Sequence, residues 1–208
     1  MQRLLRLVPL LLATAFFAGC ATGRHSVADT ATRYDIQPDK ALVVFMRVSN
    51  VGGGISAPIF DSTGAGNELI AVLGPKEKVA YYCAPGERHF MVLGENADFM
   101  DARLEAGKVY YAIATPRMGV WKARFSLHPF KADAAEKEFA INSPQLRQWH
   151  SECHFVRPKP SAENYGVKSA GDIITRRGEY EPKWAAMLEK DKQWRRLVPA
   201  DGLAAPLP

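Results

Sequence analysis

The chain has 208 residues, with 27 Lys+Arg against 22 Asp+Glu. That is long enough for a substantial core with an appendage, or for two small domains. The basic excess is small and spread along the chain with no block of like charges, which argues against a nucleic-acid partner.

Residues 1–6 carry Arg3 and Arg6 and no acid, and residues 7–17 are an apolar run too short to span a membrane, interrupted by Pro9. Phe16-Phe17-Ala18-Gly19-Cys20 closes this stretch. A charged start, a short apolar run and small residues describe a secretion signal. The closing residues resemble the lipobox of bacterial lipoproteins, in which the cysteine is acylated and the chain is cut just before it. Phe17 stands where Leu is commonest. The resemblance implies a signal peptide over 1–19, lipidation of Cys20, membrane attachment through that lipid and a place in the bacterial cell envelope. Ala21 follows the cysteine where an aspartate would signal inner-membrane retention, which resembles outer-membrane sorting with the domain facing the periplasm.

Residues 20–39 have few apolar side chains and no strand or helix period, so they read as a lipidated flexible tether. If disordered, such a segment reaches about 25 Å.

From residue 40 to 130 the period is two. Trp121, Ala123, Phe125 and Leu127 alternate with Lys122, Arg124 and Ser126. Met100, Ala102 and Leu104 alternate with Asp101 and Arg103, and Val79, Tyr81 and Cys83 with Lys78, Ala80 and Tyr82. Further strands are predicted over 42–48, 57–60, 69–73, 88–93 and 109–115. Gly52-Gly53-Gly54, Gly64-Ala65-Gly66-Asn67, Pro85-Gly86, Gly94-Glu95-Asn96 and Ala106-Gly107-Lys108 are turn signals between them. The reading is a mainly β fold, an antiparallel β-sandwich of about eight strands.

Beyond residue 130 the pattern turns helical, giving an extension over 131–198. Ser143-Pro144 is an N-cap followed by an N1 proline, opening a helix through Trp149. A second helical stretch runs from Ser161 toward Ile174, broken by Gly178. The clearest helix is predicted over 182–197, where Trp184, Met187, Leu188, Trp194 and Leu197 recur at helical spacing beside Lys183, Lys190, Lys192, Arg195 and Arg196. It suits packing on the sandwich, a partner groove or a membrane surface. Residues 199–208 read as a disordered tail.

Ala84-Pro85-Gly86-Glu87-Arg88-His89 and Glu105-Ala106-Gly107-Lys108-Val109-Tyr110-Tyr111, preceded by residues 41–47, resemble a small domain of unknown function in bacterial lipoproteins. Its look is that of a transthyretin-like or carboxypeptidase-regulatory-like β-sandwich. The resemblance covers about 40–130 and implies a fold without catalytic residues or a cofactor.

With Cys20 lipidated, Cys83 and Cys153 are an even pair in an exported chain, which predicts a disulfide; two buried free thiols are the alternative. A bridge would close a loop of about 70 residues, worth up to about 4 kcal/mol. His150, Glu152, Cys153 and His154 form the densest cluster of ligand-type residues. On a continued helix His150 and His154 would share one face and make weak candidates for a divalent metal. Gly52-Gly53-Gly54 lacks the Lys-Ser or Lys-Thr of a phosphate loop, and no serine sits in a nucleophile elbow. His89 and His128 read as structural histidines.

These features point to a lipid-anchored, non-enzymatic envelope protein. Its sandwich would present a binding or adaptor surface to an envelope protein partner. The alternatives are a metal-binding or hydrolytic envelope protein using the His150–His154 segment, and a structural subunit of an envelope complex. The small-molecule ligand, if there is one, is not legible.

Overall fold

A computed structural model describes residues 25–50, 55–119 and 123–208. Cys20, Gly52-Gly53-Gly54 and Trp121, singled out above, lie outside the described residues. The described residues form a mainly β fold with eleven strands in two mixed sheets and four α-helices. The strands are β1 (Ser26–Ala28), β2 (Ala41–Arg47), β3 (Ala57–Asp61), β4 (Glu68–Leu73), β5 (Glu77–Cys83), β6 (Gly86–Leu93), β7 (Ala97–Leu104), β8 (Lys108–Arg117), β9 (Arg124–Pro129), β10 (His154–Pro158) and β11 (Arg196–Leu197). The helices are α1 (Pro144–Glu152), α2 (Pro160–Lys168), α3 (Ala170–Ala185) and α4 (Glu189–Lys192).

The first sheet has the order β1-β10-β5-β2-β8-β9 and the second β11-β7-β6-β3-β4. Their inner faces share one core. Val43 and Phe45 of β2, Tyr110 and Ala112 of β8, and Phe125 of β9 meet Ile59 of β3, Phe90 of β6 and Met100 of β7. Phe45 and Phe90 touch edge to face at 5.1 Å between the sheets.

The first sheet is covered on its outer face too, and the second over half of it. Leu42, Val44 and Met46 of β2 point away from the shared core and pack with Tyr111, Phe130, Leu146 of α1 and Phe155. This is why the whole of β2 is buried and reads as a continuous apolar run rather than an alternation. On the other side, Phe60, Met91 and Phe99 receive Ile173 and Trp184 of α3.

The pairing differs from the antiparallel expectation. β2 runs parallel to β8, β5 to β10, and β7 to β11. Strand periodicity reports which residues face inward but not which strand lies alongside, and each of these parallel partners arrives through a long connection. The strand count rises from eight because short segments outside 40–130 complete both sheets.

Three regional expectations are corrected. The described part of the expected tether, from residue 25, is a strap across the first sheet. β1 pairs with β10, the Asp29 N–H donates to the Phe155 carbonyl at 2.8 Å, and Tyr34 packs edge-on against Phe155 at 4.9 Å. Tyr34 and Ile36 pack it against the outer core.

The expected helical extension supplies β10 and β11 to the sheets. Ser143 caps α1 as predicted, its Oγ accepting from the Leu146 N–H at 3.0 Å. Gly178 does not break the chain there; α3 runs through it, and the expected 182–197 helix is not formed. Pro182 sits in the last turn of α3, the chain turns after Ala185, and Leu197 is a strand residue in the inter-sheet core. Trp184 is buried, whereas Leu188 is 60% and Trp194 43% exposed.

The expected disordered tail is docked. The Asp201 carboxylate is fully buried and accepts from the Ala132 and Val198 N–H groups. Leu203 exchanges backbone hydrogen bonds with Val109, and the Leu207 N–H donates to the Tyr111 hydroxyl at 2.7 Å.

Candidate functional site

The outer face of the second sheet is divided in two. Along β6 the outward residues are Glu87, His89, Met91 and Leu93, and along β7 they are Arg103, Asp101, Phe99 and Ala97 in the opposing register. The apolar half, Met91, Leu93, Ala97 and Phe99, lies under α3. The polar half lies beyond the end of that helix and forms an open groove of about 500 Å³ with Arg196, Val198 and the Thr63–Gly64 turn.

His89 stands on the boundary. Its ring stacks on Phe99 with centroids 4.9 Å apart, and Trp184 lies at 6.2 Å. Its Nδ1 is 2.7 Å from Oδ1 of Asp101. An ionised carboxylate only accepts, so Nδ1 is the donor in this bond. Nε2 is buried without a hydrogen-bond partner among the described residues, with Oε1 of Glu181 at 3.8 Å.

Burial would raise the Asp101 carboxyl pKa. Hydrogen bonds from His89 and Arg196, and their charges, outweigh it and hold the group below its usual range. The Arg196 guanidinium is 3.5 Å from the same carboxylate, and Glu87 and Arg103 oppose each other one pair further along the ladder.

On the opposite face of β6, Arg88 donates to the Ala84 carbonyl and lies 3.6 Å from Asp61, which also accepts from the Tyr81 hydroxyl at 3.0 Å. With Glu87, Asp101, Arg103 and Arg196, the groove offers donors and acceptors of both signs. Thr63 is its nearest hydroxyl, and it donates to Asp61 and accepts from the backbone N–H of His89. No nucleophile–base pair is formed at His89 Nε2 among the described residues.

The cysteines are not brought together. Cys83 faces the inter-sheet core with its thiol toward the Ala41 carbonyl at 3.9 Å, and Cys153 lies in the outer core with its thiol toward the Arg47 carbonyl at 3.9 Å. Ala41 and Arg47 are the two ends of β2, about 20 Å apart at strand rise, far beyond disulfide reach. Both thiols are free, so the expected bridge is replaced by two buried groups. Burial pushes Cys83 up to about 11 and Cys153 up to about 12.

The two histidines of the expected metal pair are also separated. α1 ends at Glu152, so His150 is helical while His154 opens β10, and the shared face never forms. His150 Nε2 meets the Lys78 ammonium at 3.2 Å, and the same ammonium donates to the His150 carbonyl at 2.7 Å. Burial first, and the Lys78 charge second, bring the imidazole down to about 4. Burial likewise lowers Lys78 to about 8, with its ammonium 4.4 Å from the Phe155 ring centre. Among the described residues no group of three or more His, Cys, Asp or Glu could hold a metal.

Sequence reads His89 as a structural histidine and Arg196 as part of a basic helix face, and assigns no site role to Asp101, Arg103 or the neighbouring Glu181. The signal that could have found His89, Asp101 and Arg103 is the change of character along one face, from Glu87 and His89 to Met91 and Leu93 on β6 and from Arg103 and Asp101 to Phe99 and Ala97 on β7. An outward face that turns from polar to apolar midway announces a partial cover. The presence of Arg196 and Glu181 has no such signal.

Comparison with known protein families, curated proteins and solved structures finds no match for this chain.

Proposed function

We propose that this chain is a lipid-anchored protein of the bacterial cell envelope, held at the outer membrane by acyl chains on Cys20 and facing the periplasm. Its domain serves as a non-catalytic binding module for an envelope partner, in a sandwich resembling the transthyretin-like type. The observation that carries the binding reading is the half-covered second sheet: α3 buries the apolar half of one face and leaves the His89–Asp101–Arg196 half open. A sheet face completed by a helix has no packing need to keep buried polar groups at its margin, and His89 Nε2 is one such group without a hydrogen bond among the described residues. The chemistry offered there is directional hydrogen bonding with charges of both signs, which suits a polar protein or glycopeptide surface.

Affinity capture from detergent-solubilised envelope, comparing the wild type with Arg103→Glu and Glu87→Arg, tests this reading. A partner retained near one-to-one by the wild type and reduced about tenfold or more by either variant supports it. Equal capture by all three chains rejects the groove. A Cys20→Ser chain that still enters the detergent phase rejects the lipid anchor.

A further inference from the structure

The first described residue, His25, is fixed to the body of the protein. Its carbonyl accepts from the Lys159 N–H at 2.9 Å, and its ring lies 5.4 Å from that of Tyr165 on α2. Only five peptide steps separate it from Cys20, a span of at most about 18 Å when fully extended. The polar headgroup zone of one leaflet is roughly 5–8 Å deep. A lipid on Cys20 therefore holds the Tyr165 region of α2 close to the headgroups, where the long tether expected from sequence would have let the domain swing free.

Across α2 from that contact, two aliphatic side chains stand exposed. Val167, two residues beyond Tyr165 and so about 200° around the helix from it, is 77% exposed, and Ile174 in the second turn of α3 is 65% exposed. Between them a groove of about 400 Å³ is lined by Leu69, Gly166 and Ile173. Lys168, also exposed, adds a cation beside Val167.

We infer that the α2–α3 corner, with Val167 and Ile174 at its tip, docks on the bilayer to which Cys20 is attached, so that the domain sits on the membrane in one orientation. The inference rests on the proposed lipidation of Cys20. Two aliphatic side chains and one lysine are too little to bind a membrane from solution. They act here because the anchor keeps them within reach of the headgroups at high effective concentration. Docking through this corner also fixes where the His89 groove stands relative to the membrane.

The test uses mature protein reconstituted in phosphatidylethanolamine–phosphatidylglycerol vesicles with and without brominated acyl chains. Ile174→Trp adds an emission that brominated lipid should quench by about half, whereas Leu188→Trp, at an exposed site past the end of α3, should be unaffected. Unchanged melting temperatures confirm that both variants fold. The mass of the N-terminal peptide reports the lipid on Cys20 separately. If Cys20 is acylated and both variants are quenched equally or not at all, the docking is overturned while the anchor stands. If Cys20 is unmodified, the same chain is coupled through its thiol to a maleimide-headgroup lipid; quenching at 174 then supports the docking face, and its absence overturns it. A blue shift of the Ile174→Trp emission without bromolipid quenching assigns the corner to a second copy of the chain and also overturns the proposal.

Discussion

Nδ1 of His89 lies 2.7 Å from Oδ1 of Asp101, its cross-strand partner in the β6–β7 ladder. The pair marks the line where the second sheet changes from a face covered by α3 to an open groove. It also leaves Nε2 facing Glu181 without a hydrogen bond.

Asp101→Ala should destabilise the fold by about 1–3 kcal/mol in urea unfolding, because it strips the acceptor from a half-buried imidazole and from Arg196. Asp101→Asn keeps an acceptor oxygen and should recover part of the loss. If both variants unfold at the wild-type midpoint, the pair contributes nothing to the boundary.

Trp184 is the main apolar anchor of α3 on the second sheet, against Phe99 at 6.1 Å and under the Arg195 guanidinium at 5.3 Å. Trp184→Ala should cost about 3–5 kcal/mol. Leu188→Ala, on an exposed side chain of the same sequence stripe, should stay within about 0.5 kcal/mol of wild type. Thermal or urea unfolding of the two variants separates the observed fold from the continuous 182–197 helix, which would bury both.

The mature, acylated protein should present two thiols, Cys83 and Cys153, to a maleimide after unfolding without reductant. In the native state both should react slowly, since each is buried and its thiol is held in the neutral form. A linked Cys83–Cys153 peptide on a non-reducing map would contradict the structure.

His150 makes stability depend on pH in the acid range. Its folded pKa lies near 4 against an ordinary value of 6.5, so between these values the unfolded chain binds a proton that the folded chain refuses. Stability therefore falls as the pH drops from 6.5 toward 4, by on the order of 3 kcal/mol across the window. Lys78, lowered from 10.5 to about 8, gives the same sign in the alkaline range, with stability rising as pH rises between those values. His150→Gln should flatten the acid limb of the melting temperature against pH. An unchanged slope would mean that other groups carry it.

Gly202→Ala should destabilise by about 1–3 kcal/mol through overpacking. A Cβ there would stand 2.7 Å from Lys108 Cδ and 2.8 Å from Tyr110 Cζ, so the docked tail has no room for a methyl group. Neutral behaviour in thermal unfolding would show that the tail is not held where it is described.

What the sequence determined by itself was local. Period-two alternation located the strands of residues 40–130, because a half-buried strand must place like residues two apart. The Ser143-Pro144 pair located α1 through its cap, and Pro85-Gly86 located a turn that Gly86 makes with φ of +110°. The Cys20 segment lies outside the described residues and rests on sequence alone.

What only the tertiary structure decided was pairing and cover. Nothing in the pattern of Arg196-Leu197 distinguishes a helix end from a strand; the open edge of β7 makes it a strand. The stripe from Trp184 to Leu197 has helical spacing over a stretch in which the chain turns twice, since spacing records where apolar residues fall and not whether one rigid element carries them. Cys83 and Cys153 look like a pair by count, yet β2 holds them at opposite ends and on opposite faces of one sheet. The His89 groove exists because α3 is long enough to cover only half of the face it packs against, a relation between elements some eighty residues apart that no local pattern encodes.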